Sequence, residues 1–183
     1  MLGALGVRVL GCFDDDPTKY GAAVLNAAIR PMSELPRRTL AILAIGSNRA
    51  RQRLSSTLDC TWISLVHPSA FVDPSVTIGP GSVIFAGAVV QPDVRIGAHV
   101  IVNTSASIDH DCVIEDFVHL APGTHLAGNV TIEQGAFLGV GAVAIPGRRV
   151  GAWTTVGAGG AVVRDLPSEV VAVGVPARPR PSS

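Results

Sequence analysis

Charged side chains are sparse in this chain, and aromatic rings are sparser. Lys, Arg, Asp and Glu make up 15% of its 183 residues and Phe, Trp and Tyr only 4%, against about a quarter charged in ordinary soluble domains. The 14 basic residues balance the 14 acidic ones, so there is no basis for a nucleic-acid or membrane-surface binder. Cys12, Cys60 and Cys112 form neither a CxxC pair nor an even framework, the pattern of reduced thiols in a cytoplasmic protein. No signal-peptide pattern is visible. The longest charge-free run, Pro74 to Pro92, is broken by prolines and glycines, which argues against a spanning helix. What remains is an aliphatic, turn-rich chain with 48% hydrophobic residues, 20 glycines and 13 prolines. A helical bundle fits that composition badly.

The aliphatic residues recur with a period of six. Counting by six from Val72 to Val162, fifteen of sixteen positions are Val, Ile or Leu; composition alone would give about four or five. The position two residues earlier is small or β-branched nearly throughout, as at Ala70, Ala88, Ala106 and Ala136. Two inward positions spaced by two, then a turn, describe a short strand and a corner. Three hexads close one triangular coil of 18 residues, and stacked coils pair through parallel ladders. The predicted fold is a parallel β-helix of about five coils, with small residues at its corners and no room for rings. Its register is unbroken, so no loop walls off a pocket. A bare prism has no deep cleft, and ligand sites are concave; the spacing therefore predicts a site between prisms, in an oligomer.

Before residue 66 the repeat vanishes. Val7 to Phe13 reads as a strand followed by an Asp-Pro turn, Thr39 to Ile45 as a second apolar run, and Trp62 to Val66 as a third strand. Ser47 or Asn48 can cap a helix over Arg49 to Leu58. Together these predict a small parallel α/β unit over 1–65, ahead of a β-helix with a C-terminal tail over 66–183.

The hexads resemble the hexapeptide-repeat family. The sequences Gly11-Cys12-Phe13-Asp14-Asp15-Asp16-Pro17, Ala44-Ile45-Gly46-Ser47-Asn48, Ile108-Asp109-His110-Asp111-Cys112 and Asp116-Phe117-Val118-His119-Leu120-Ala121-Pro122 narrow the likeness. They resemble the branch of sugar acetyltransferases related to bacillosamine N-acetyltransferase and sialic acid O-acetyltransferase. The resemblance implies a left-handed β-helix, a homotrimer, acetyl-CoA as co-substrate with no metal, and a sugar or nucleotide-sugar acceptor in polysaccharide biosynthesis. It also implies a Rossmann-like acceptor-binding domain over 1–65. Such a domain opens with a strand and a Gly-rich turn that holds phosphate. Here Met1 to Gly6 reads as the tail of the following helix, stopped by Gly6, so the domain is expected to be truncated and to bind nucleotide sugar poorly.

His110 lies between two acids on a hexad turn, where a carboxylate can fix an imidazole tautomer and raise its basicity. On spacing alone it reads more readily as a solvated surface histidine between two acids. The resemblance makes it the general base for acyl transfer and Asp111 the acid that polarises it. One coil above lies Gly128, expected to leave room for the thioester. The resemblance places His119, Gly128, Val140 and Ala158 at acetyl-CoA, and Asp14, Asp15, Gly46 and Asn103 at the acceptor. Arg148, Arg149, Arg164 and Arg178 could reach the CoA phosphates. Two other classes compete. Zinc hydration chemistry would need histidines stacked at multiples of 18, and His99, His110, His119 and His125 are not so spaced. A non-catalytic scaffold or regulatory subunit fits the lost Gly-rich turn, but not the retained His110-Asp111 pair and His119.

Overall fold

The computed structural model describes residues 2–180. From Leu65 to Val162 each hexad supplies one two-residue strand, and strands stack in parallel with partners 18 residues apart, as in Val90 with Ile108 and Ile108 with Leu126. Three faces result. The first carries eight strands, including Ile101–Val102, His119–Leu120 and Phe137–Leu138; the second carries six, including Ser107–Ile108 and His125–Leu126; the third carries five, including Val113–Ile114 and Thr131–Ile132. Two faces thus exceed the expected five rungs: the second because the hexad series both begins (Phe71–Val72) and ends (Ala161–Val162) on it, and the first because Leu65–Val66 adds a strand below while Val171–Val173 and its antiparallel partner Arg178–Pro179 add two above.

The second residue of each strand points inward. Val102, Leu120, Leu138 and Val156 form one buried file, and Ala88, Ala106, Cys112 and Ala136 fill the corners. A leucine in such a file is held by about 2–5 kcal/mol relative to alanine, so the prism is a stiff support. At the corners a residue with positive φ recurs every six positions from Gly81 to Gly159, including Asp111. Glycine, Asp and Asn tolerate this conformation; bulky side chains rarely do. The bulky exceptions, His99, Phe117 and Trp153, all line one corner, that between the third and first faces.

The segment before the solenoid, residues 2–62, docks on that corner through Asn48, Arg49, Arg51 and Trp62. This segment forms β1 (Cys12–Asp14), β2 (Ala23–Val24), β3 (Ala27–Pro31), β4 (Thr39–Ala41), α1 (Asn48–Thr57) and β5 (Cys60–Trp62). The Rossmann-like expectation fails here. β1 pairs in parallel with β3, which pairs antiparallel with β2, while β4 and β5 form a separate parallel pair. The two small sheets never merge, and α1 is the one α-helix among the described residues. The expected strand over Val7 to Phe13 shrinks to β1, and the expected strand over Trp62 to Val66 splits into β5 and the first solenoid rung. The opening segment is a 3-10 turn, Leu2–Leu5, closed by Gly6 at φ 65°. Ser47 does cap α1, accepting from the Ala50 N–H at 3.3 Å. Docking is aromatic and polar: Trp62 meets His99 edge-on at 5.1 Å, His99 stacks on Phe117 at 5.4 Å, and Arg49 lies 4.4 Å over Trp153. Gly135, between Phe117 and Trp153 in this column, combines φ 67° with a Trp153 ring lying across its Cα.

Candidate active site

His110 and Asp111 sit on the corner between the second and third faces. The hexad turn puts Asp111 in the left-handed region, φ 59°, and its Oδ2 lies 2.8 Å from Nδ1 of His110. An ionised carboxylate only accepts, so Nδ1 carries the hydrogen and Nε2 presents its lone pair. The Asp109 carboxylate accepts from the His110 backbone N–H at 2.9 Å and fixes the turn from the other side. The hydrogen bond to Asp111 raises the His110 pKa above 6.5; desolvation opposes it, and the charges of Asp109 and Asp111 add to it. Gly128, one coil above, lies against the ring: a Cβ there would fall 2.6 Å from Cε1 and 2.7 Å from Nε2 of His110. The space beside the Gly128 Cα is thus taken by the imidazole itself, and Gly128 seats His110.

His119 occupies a different environment on the first face. Its neighbour Leu120 points inward, so the imidazole points out, where it meets Phe137 edge-on at 5.2 Å. Asn103 Nδ2 lies 3.3 Å from its Nε2. The Asn103 amide cannot turn, because its Oδ1 accepts from the Thr104 N–H at 2.8 Å. Nε2 of His119 is thus the acceptor and Nδ1 carries the hydrogen. Burial, helped by the positive charge of Arg51, pushes the His119 pKa down to about 4; the Gly46 carbonyl opposes this weakly without completing a hydrogen bond to the buried Nδ1. His119, Asn103 and Gly46 are therefore neighbours, two from the solenoid and one from the docked segment.

The residue that joins them was not singled out from the sequence. Arg51, on α1, is 1% exposed. Its guanidinium donates to the carbonyls of Ile45 and Gly46 at 3.1 and 3.0 Å, of His99 at 3.1 Å, and of Phe117 and Val118 at 2.8 and 3.4 Å. Nearby, Asn48 donates to the carbonyls of Gly135 and Ala136 at 3.0 and 3.1 Å. One available signal was the set of rings at positive-φ positions 99, 117 and 153 in an aromatic-poor prism, marking a corner that something covers.

The other candidates lie apart. Asp14 accepts from the Asp16 N–H and pairs with Lys19 at 2.9 Å, while Asp15 is exposed. Val140, 58% exposed, and Ala158 follow one another up the corner between the first and second faces. Arg149 is engaged by Glu133 at 2.6 Å and Arg148 lies 3.7 Å from Asp165; Arg164 and Arg178 are exposed. Within one chain, the corner bearing His110 lies opposite the face bearing His119, with buried Ile108, Cys112, Val118 and Leu120 between them. Among the described residues, no group of three or more His, Cys, Asp or Glu side chains is placed to hold a metal, and no helix is long and apolar enough to cross a membrane.

No family model matches the chain. Over 104 residues, 55% of this chain, it is 34% identical to GDP-perosamine N-acetyltransferase of Escherichia coli O157:H7; the match spans 47% of that enzyme, so less than half of the curated relative's length. Among solved structures it is similar to a histidine-to-asparagine variant of perosamine N-acetyltransferase from Caulobacter crescentus, in complex with CoA and GDP-perosamine. The TM-score is 0.91 with 40% identity, covering 99% of this chain and 89% of that one. The acetyltransferase domain of PglB from Neisseria gonorrhoeae, in complex with acetyl coenzyme A, aligns with a TM-score of 0.88 and 36% identity over 97% of this chain and 90% of that domain. With near-complete coverage at these identities, and with the unbroken hexad prism already described, the chain belongs to the hexapeptide-repeat, left-handed β-helix family, in its sugar N-acetyltransferase branch.

Proposed function

We propose that this protein transfers an acetyl group from acetyl-CoA to the amino group of a sugar carried on a nucleoside diphosphate, with His110 as general base. The observation that carries the reading is the His110–Asp111 pair at 2.8 Å, which leaves Nε2 free to take a proton at an exposed corner. The acceptor amine attacks the thioester carbonyl carbon, a C–N bond forms, and Nε2 takes the amine proton. The C–S bond then breaks and CoA leaves as the thiol, the proton returning from His110 to sulfur. A raised pKa suits this role, because a stronger base takes the amine proton more readily. The amino sugar nucleotide follows from the relatives, whose structures hold CoA and GDP-perosamine.

The site is shared between copies of the chain in a homotrimer. His110 and His119 face opposite sides of one prism, so both can border one reaction only if the corner of one copy meets the first face of the next. His119, with Val140 and Ala158, borders acetyl-CoA. Residues 1–65 form the acceptor-binding unit, with Asp14, Asp15, Gly46 and Asn103 toward the sugar nucleotide. Both substrates are cytoplasmic metabolites, and the protein acts there.

Mixing two inactive variants tests this. His110→Ala and His119→Ala, unfolded together and refolded as hybrids, are expected to regain part of the wild-type CoA release, since some interfaces then carry both histidines. Hybrids as inactive as either parent would contradict a shared site.

A further inference from the structure

Arg51 is an unusual way to hold two parts of a fold together. It is buried, it donates to five carbonyls, and among the described residues no carboxylate pairs with it. Removing a cation from water costs several kcal/mol, and an apolar side chain of similar volume would dock α1 without that cost. Stability alone therefore does not explain this residue. What the guanidinium does that an apolar group cannot is set the distance between particular carbonyls. Nη1 gathers Ile45 and Gly46 from the docked segment. Nη2 gathers Phe117 and Val118, the two residues before His119. Gly46 and the peptide leading into His119 are thus held within the width of one planar group.

We propose that Arg51 is a positioning residue for acyl transfer: it fixes the Gly46 loop against His119, so that His119 keeps the tautomer with Nε2 as acceptor and faces the reaction in one orientation. Asn103 sets the Nε2 side of this arrangement; on the Nδ1 side, where the ring completes no hydrogen bond, Arg51 holds the Gly46 carbonyl in place. Burial keeps His119 neutral, the same positive charge adds to this, and among the charged groups Arg51 alone acts on it appreciably. The proposal rests on the reading of His119 as part of the acetyl-transfer site.

The test uses full-length Arg51→Lys and Arg51→Met, with 15N-histidine NMR and steady-state CoA release per folded molecule. Lysine keeps the charge but not the five-donor fork; methionine keeps neither. In Arg51→Lys, the His119 ring nitrogens are expected to show a mixture of tautomers, with kcat down by about 10-fold, the scale of a modest misplacement, and the His110 resonances unchanged. In Arg51→Met, His119 is expected also to titrate nearer 6.5. If methionine prevents folding, the lysine variant decides alone. A wild-type tautomer pattern with wild-type kcat in Arg51→Lys overturns the proposal, as does a loss of turnover with the His119 spectrum unmoved. Should the wild-type chain release no CoA from acetyl-CoA and an amino sugar nucleotide, the acetyl-transfer reading fails, while the NMR arm still decides whether Arg51 fixes His119.

Discussion

The imidazole of His110 rests on the backbone of Gly128, one coil above it, so closely that a methyl group at residue 128 would fall 2.6 Å from Cε1. The His110 corner thus depends on an 18-residue register that brings a histidine under a glycine, and on a turn that aims Asp111 back at Nδ1.

Gly128→Ala tests the first dependence. Gly128 has no positive φ, so alanine meets no backbone strain, only the ring. The imidazole must swing away, and turnover is expected to fall by about 10- to 100-fold, as for misplacements near 1 Å. Unfolding by urea is expected to stay within about 0.5 kcal/mol of wild type, as for surface changes. Unchanged turnover would show that His110 need not lie where it does.

Asp111→Asn tests the second. The raised pKa of His110 owes most to its hydrogen bond with Asp111. Turnover needs the neutral base, so kcat/KM rises as pH passes upward through that pKa. With the acid gone, the pKa drops and the rising limb moves to lower pH, while the plateau falls by a share of the 10²- to 10⁴-fold that a general base supplies. A pH–rate profile of both proteins reads the two effects separately. A limb that stays put contradicts the assignment of Asp111.

His119 predicts a stability effect of its own. Its pKa is held at about 4 in the folded chain, by burial first and by Arg51 second, against an ordinary 6.5. Between those values the unfolded chain takes up a proton that the folded chain refuses, so stability falls as pH drops from about 6.5 to 4. His119→Gln removes that contribution. Denaturant titrations at pH 7 and pH 4.5 are expected to show a larger loss for wild type than for the variant; equal losses would place His119 in an ordinary solvated setting.

Gly135→Ala is expected to cost about 1–3 kcal/mol, the range for a non-glycine forced into the left-handed region. Here φ is 67° and the Trp153 ring leaves no room. Thermal unfolding followed by tryptophan fluorescence reads it, since Trp153 carries the contact to Arg49.

The prism was legible because its signal lies within the chain's own periodicity: each hexad repeats the same two inward positions, and Val102, Leu120 and Leu138 take their places without outside help. The turn chemistry at His110-Asp111 was legible for the same reason. The docked segment was not. Val7 to Phe13 and Thr39 to Ile45 look like strands of one sheet, yet their paired portions join Ala27–Pro31 and Cys60–Trp62 in two separate sheets. Arg51 shares a polar helix with Arg49 and Arg53, and nothing local distinguishes it. Its burial comes from carbonyls up to 67 residues away, a contact that no window of sequence displays.

The central claim, that His110 is the base for acetyl transfer, is tested most directly by CoA release from His110→Ala, measured beside calorimetric binding of acetyl-CoA to the same protein. A fall in kcat of about 10²- to 10⁴-fold, with acetyl-CoA affinity within a few-fold of wild type, is the expected result. Wild-type turnover in that variant would contradict it.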